Sequence, residues 1–169
     1  MMKQRPILIS ILAVLSIIGG ILLAILLPVF ILAKDAMAEG LALFEIPFWF
    51  LIFSLLFLTA LSLAGGIGMW KGTKWGWWLA QFSFVFDIFR RLFALINTMA
   101  ITDEVPTKMY LRAIGAIVNI LFIWYFFKPD VLAYFNMQKI KKIKAMLIII
   151  GINIAFVIIS TALAYLTYR

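Results

Sequence analysis

Asp87, Arg90 and Arg91 are the side chains of this sequence best placed to do chemistry, and they lie in the middle of an otherwise apolar stretch, 75–101. A carboxylate with guanidinium groups three and four residues further on can form an ion pair along one helical face, act as acid or base, or hold an anion. Lipid offers these groups no hydrogen bonds. Each ion at a helix centre opposes insertion by about 2.5 to 3.5 kcal/mol, so three oppose it by about 7 to 10 kcal/mol. The apolar residues of 79–101, at about −0.3 to −0.6 kcal/mol each, barely balance that sum. A stretch of this kind needs partners inside the membrane.

The polar side chains share a face. At the helical rotation of 100° per residue, Ser83, Asp87, Arg90, Arg91, Ala94, Asn97 and Thr98 fall within a stripe about 120° wide. Asp87 pairs with Arg90 or Arg91, which leaves one positive charge over on this helix. In the following apolar stretch Lys108, Arg112, Gly115, Ala116 and Asn119 also share a face, and the short connection makes the two stretches antiparallel neighbours. A hairpin folded about Val105 sets Asn119 level with Arg91 and Arg112 level with Thr98. The expected result is a positively charged seam of Asp87, Arg90, Arg91, Arg112 and Asn119.

Three functions compete for such a seam. It can lock its two helices together or dock against an acidic span of another subunit or a second copy. It can bind or pass an anion or an anionic lipid. It can use Asp87 as a catalytic acid or base, which is the least supported of the three. The chain has no Cys and no His, which removes thiol nucleophiles, disulfides, imidazole bases and the usual zinc and haem ligands. Of the acids Asp35, Glu39, Glu45, Asp87, Asp103, Glu104 and Asp130, only Asp87 sits deep in an apolar stretch, so no two carboxylates face each other there. The expectation is a protein that is not an enzyme, with no catalytic residue, metal or cofactor, acting as an accessory, assembly or interaction subunit. Anion or anionic-lipid binding is the alternative.

The elements that must position this seam are membrane helices. Hydrophobic residues make up 66% of the 169 and charged ones 13%, a balance far outside that of soluble domains. Apolar runs of about twenty residues predict an all-α, polytopic transmembrane bundle in one domain, with spans over 7–32, 46–70, 75–101, 109–127 and 145–168. The first run is too long for a signal-peptide core and reads as a retained helix. The net charge of +8 sits in short loops, where topology accounts for it, and it does not indicate nucleic acid.

Charge also sets orientation. Lys3 and Arg5, the turn of Lys71 and Lys74, and the five Lys of 128–144 alternate with the acidic connections 33–45 and 102–108. That alternation predicts a cytoplasmic N-terminus and an outer C-terminus, in a plasma or inner membrane. Trp70, Trp75, Trp77 and Trp78 would mark the inner interface, and Tyr165 and Tyr168 the outer one.

Small residues prepare close packing. Ala60, Ala64 and Gly68 recur every fourth residue on the second span, and Ser16 with Gly20 and Gly151 with Ala155 repeat the spacing. Gly66-Ile67-Gly68 is no phosphate loop, because no strand precedes it and Met69-Trp70 follow inside the apolar run. Pro129 and Asp130 open a short basic interfacial helix over 129–144. Its Lys139, Lys141, Lys142 and Lys144 read first as a topology signal, with contact to anionic lipid headgroups as the alternative.

Two stretches carry a resemblance. Gly68-Met69-Trp70-Lys71-Gly72-Thr73-Lys74-Trp75-Gly76-Trp77-Trp78-Leu79-Ala80 resembles the Gly-x-Trp, basic turn and Trp-Gly-Trp hairpin of small uncharacterised prokaryotic multi-spanning membrane proteins. Lys128-Pro129-Asp130-Val131-Leu132-Ala133-Tyr134-Phe135 is similar to the segment after a later span in the same proteins. The resemblance implies an integral membrane protein and carries neither an activity nor a site residue with it.

Overall fold

The computed structural model describes residues 5–36, 47–101 and 107–168, with side chains over 5–36, 47–96 and 110–163. The connections 37–46 and 102–106, and the side chains of Asn97, Thr98, Lys108, Tyr165 and Tyr168, lie outside the described residues. The described residues form helices and turns: α1 (Ile7–Leu32), α2 (Phe48–Lys71), α3 (Lys74–Ile101), α4 (Thr107–Phe126), α5 (Pro129–Tyr134) and α6 (Lys142–Tyr168). Three of them, α1, α2 and α6 over Lys142–Leu163, are long and apolar enough to cross a membrane. Their outward faces are apolar, with Leu22, Ile25, Phe53, Leu147 and Ile158 all exposed. Lipid is the solvent that such a surface fits.

Prolines start the first two helices. Pro6 and Pro47 hold extended backbone (ψ 133° and 136°) just before α1 and α2, where the missing N–H is not needed. The two helices run antiparallel at close range. A Cβ on Gly20 would strike Leu63, and one on Gly66 would strike Ile17 and the Ala13 carbonyl. Ser16 Oγ donates to the Ser62 carbonyl at 2.9 Å, and the Arg5 guanidinium lies 3.9 Å from the Trp70 ring centre.

Gly72 turns α2 into α3. Its φ of 63° is the left-handed conformation that glycine adopts without strain. The Gly72 N–H donates to the Met69 carbonyl (3.3 Å) and the Thr73 N–H to the Gly68 carbonyl (3.1 Å), the paired bonds of a Schellman ending. Thr73 Oγ1 accepts from the Gly76 N–H at 3.3 Å. The two helices then leave the turn with Gly68 and Gly76 backbone to backbone, so that a Cβ on either would fall on the other.

Helix α4 lies antiparallel on α3, and α6 runs beside α3 in the same direction. Trp77 Nε1 donates to the Phe126 carbonyl at 3.1 Å and Gln81 Nε2 to that of Ile123 at 3.3 Å. Phe156 of α6 stacks on Phe57 of α2 (4.5 Å between centroids) and meets Phe82 and Phe86 edge-on. At the end of the bundle where α3 begins, Trp77, Phe126, Val131, Phe135 and Ile149 form the buried core.

The interfacial helix is shorter than the expected 129–144. It ends at Tyr134, because Asn136 turns left-handed (φ 58°) and a second Schellman pair closes the helix. Those bonds run from the Asn136 N–H to the Ala133 carbonyl (3.2 Å) and from the Met137 N–H to the Leu132 carbonyl (2.7 Å). Chain direction resets there, and α6 begins at Lys142 rather than at 145.

Candidate functional site: a charged seam between α3 and α4

The seam is centred on one carboxylate. Oδ1 of Asp87 accepts from Arg90 Nη2 at 2.5 Å and from Arg90 Nε at 3.2 Å. Its Oδ2 accepts from Arg91 Nε at 2.5 Å and from Asn119 Nδ2, across the helix pair, at 2.7 Å. Four donors engage both oxygens, so this carboxylate has little capacity left for another ligand. Two turns further along, Arg112 Nη1 of α4 donates to the Ala94 carbonyl of α3 at 2.8 Å. Gly115 lies between these contacts, and a Cβ there would collide with the Arg91 guanidinium. The missing side chain leaves room for the charge.

Four of the five expected seam residues therefore meet at the carboxylate and Arg112 bonds α3 two turns away, in a register one helical turn from a hairpin folded about Val105. Asn119 is level with Asp87 rather than Arg91, and Arg112 with Ala94 rather than Thr98. In this register a neutral amide meets the carboxylate directly, and the Arg91 guanidinium faces the only glycine of α4.

The two guanidinium groups face different surroundings. The Arg91 side chain is 31% exposed and is directed toward α4, whereas that of Arg90 is 61% exposed. Arg90 forms part of the wall of a groove of about 440 Å³ between α2, α3 and α6, with Phe53, Leu58, Phe89, Phe93 and Val157. That groove is almost wholly apolar apart from the guanidinium and the hydroxyls of Ser54, Ser160 and Thr161. With one carboxylate against two guanidinium groups, the cluster holds an excess charge of +1. No group of three or more His, Cys, Asp or Glu able to hold a metal occurs among the described residues.

No protein family, curated protein or solved structure matches the chain. The two stretches that carried the resemblance do meet in space: the Tyr134 ring covers Gly72, and its hydroxyl donates to the carbonyls of Trp70 (2.7 Å) and Met69 (3.1 Å). Tyr134 thereby serves the Trp70 carbonyl that the end of α2 leaves open and adds a second donor at that of Met69.

The remaining candidate residues are dispersed. Gly68 is buried against Gly76, Ala64 is half-buried and Ala60 is exposed. The close approaches of α2 run through Gly68 on one side and Gly66 on another. Lys139, Lys141, Lys142 and Lys144 are all exposed, the first two between α5 and α6 and the last two in the first turn of α6.

Two buried amides escaped the sequence reading. Gln81 and Asn153 are fully buried, each with its nitrogen bonded and its carbonyl oxygen without a partner. Gln81 lies six residues before Asp87, about 120° round the helix and so outside the polar stripe, which is why the stripe does not point to it. Asn153 is the single amide in 145–168, which is itself a signal in an apolar helix.

Proposed function

We propose that this protein is a five-span subunit of a prokaryotic inner membrane, with the N-terminus inside and the C-terminus outside, that assembles with a partner through Arg90. The alternation of basic and acidic connections supports the orientation. The antiparallel contacts of α3 with α2 and α4 support counting both as spans, since a helix packed along a spanning neighbour shares its depth.

One observation carries the assembly reading. The Arg90 guanidinium faces an apolar groove, while the carboxylate that it holds is shared with Arg91 and Asn119. Surplus charge at that depth calls for a counter-charge. A second copy of the chain is a poor source, because its only carboxylate within a span is the same engaged Asp87. A lipid headgroup is at the wrong depth: Arg90 folds back toward Asp87, about 20 Å along α3 from Lys74 at 1.5 Å per residue. An acidic residue midway along a partner's transmembrane helix meets both requirements.

The test uses a synthetic Leu/Ala transmembrane peptide with a single central Glu and an otherwise identical peptide with Leu there. Energy transfer between labelled peptide and protein in vesicles should report association with the Glu peptide, and Arg90→Leu should abolish it. Equal association of both peptides, or no effect of Arg90→Leu, rejects the assembly reading.

A further inference from the structure

We infer that the basic rim of the bundle binds an anionic phospholipid in the cleft bounded by α4, α5 and α6. Helices α4 and α6 each pack on α3 and share no extended contact with each other, so a trough between them opens to the membrane. Where the trough reaches the Lys-rich rim it widens into a cleft of about 570 Å³, within the usual range of small-molecule sites.

The two ends of this cleft differ in chemistry. Lys128 and Lys142 approach it from opposite sides, one just after α4 and the other opening α6. Lys128 is held over the rings of Trp124 and Tyr125, with Nζ 5.0 and 5.4 Å from their centres. Such stacking restrains a long side chain that would otherwise be mobile. Away from the rim, the walls are Trp124, Ile143, Met146 and Leu147, and of these Trp124, Ile143 and Leu147 are among the most exposed apolar residues of the protein. A lysine pair at the mouth, an indole at the interface and an aliphatic trough match a phosphate, a glycerol backbone and an acyl chain in that order. The segment 128–144 carries Lys128, Lys139, Lys141, Lys142 and Lys144 against the single acid Asp130, so its field favours an anion. Zwitterionic lipid would satisfy the trough and leave that field unused.

This site is independent of the Arg90 groove, and neither result decides the other. The purified full-length protein is titrated with phosphatidylglycerol and with phosphatidylcholine of the same acyl chains, and bound lipid is counted by native mass spectrometry. Phosphatidylglycerol should bind preferentially at one saturable site. At about 1 kcal/mol per lysine, Lys142→Gln alone should weaken it about five-fold, and Lys128→Gln with Lys142→Gln about thirty-fold. The double variant Lys139→Gln/Lys144→Gln removes the same charge outside the cleft and should stay within about two-fold of the parent. Equal binding of the two lipids overturns the inference, as does an equal loss in both double variants, which would reveal a diffuse basic surface. Should the Lys128→Gln variant unfold with its stacking removed, Lys142→Gln against Lys139→Gln decides the same question.

Discussion

Replacing Asp87 by Asn keeps the shape of the seam and removes the charge that holds it. Arg90 and Arg91 both lose their carboxylate, and the single amide oxygen left at position 87 cannot serve Arg90, Arg91 and Asn119 together. Breaking an ion pair by removing one partner costs about 3 to 5 kcal/mol when the remaining charge stays out of water. With Asp87 24% and Arg91 31% exposed, and lipid rather than water outside in the proposed five-span topology, that range applies. Arg90→Leu is a different perturbation, since it leaves Asp87 matched to Arg91 and Asn119 and removes the surplus charge. Its cost is about 1 kcal/mol or less, because Asp87 keeps Arg91 and Asn119 and the loss of an unmatched ion from lipid offsets the lost pair. At about 2 to 4 °C per kcal/mol for a chain of this length, Asp87→Asn should lower the unfolding midpoint by about 6 to 20 °C, and Arg90→Leu by about 4 °C at most. Thermal unfolding in mild detergent, followed by tryptophan emission, measures both. Replacing Asp87, Arg90 and Arg91 together with Leu removes every ion and should recover most of the loss, as apolar replacements of buried ion networks often do. An Arg90→Leu variant as damaged as Asp87→Asn, or a triple variant worse than either, refutes the reasoning. If the triple variant folds yet reproduces the phenotype of a gene deletion, the charges serve recognition; a folded variant with full function would reject assembly through Arg90.

Three further outcomes are expected. Gly115→Val should destabilise by about 1 to 3 kcal/mol by pushing the Arg91 guanidinium off Asp87, and the loss should shrink in an Arg91→Leu background, a coupling that a double-mutant cycle in thermal unfolding reads directly. Gly76→Ala, which drives a methyl into the Gly68 backbone, should lower the midpoint more than Ala60→Leu on the exposed face of α2; the reverse order would mean that α2 and α3 part easily at their turn. Single Cys replacements of Lys71 and Gln138 should be labelled from one side of intact cells and those of Gly40 and Asp103 from the other, while labelling of Lys71→Cys and Gly40→Cys from the same side excludes the proposed topology.

The seam was legible because lipid leaves an ion few choices. Asp87 at a spacing of three and four from Arg90 and Arg91 fixes the pairing by helical geometry alone, and the single Asn of the next helix is the obvious amide to meet it. Its register was not legible to better than a turn, because the depth at which α4 enters depends on which contacts fit, and Gly115 beside Arg91 decides that in three dimensions. Small residues were visible as a class, but their neighbours were not: Gly66 serves α1 and Gly68 serves α3, two residues apart on different faces. The early end of α5 depends on Asn136 adopting a positive φ, a choice that asparagine permits without requiring it. The trough between α4 and α6 exists only because both pack on α3, which no local pattern encodes.

The bond from Asn119 to Asp87 spans 32 positions of sequence, and that separation becomes an interval of time during synthesis. At about 5 to 20 residues per second, α3 is made about 2 to 6 s before the amide that completes its ion cluster. Throughout that interval α3 holds three ions with only each other as partners, close to the balance point between lipid and water. In the proposed five-span topology its commitment to the membrane would therefore be deferred until α4 follows, and the two helices would enter as a pair. An arrest of synthesis between residues 101 and 119 would leave the chain at its least committed stage.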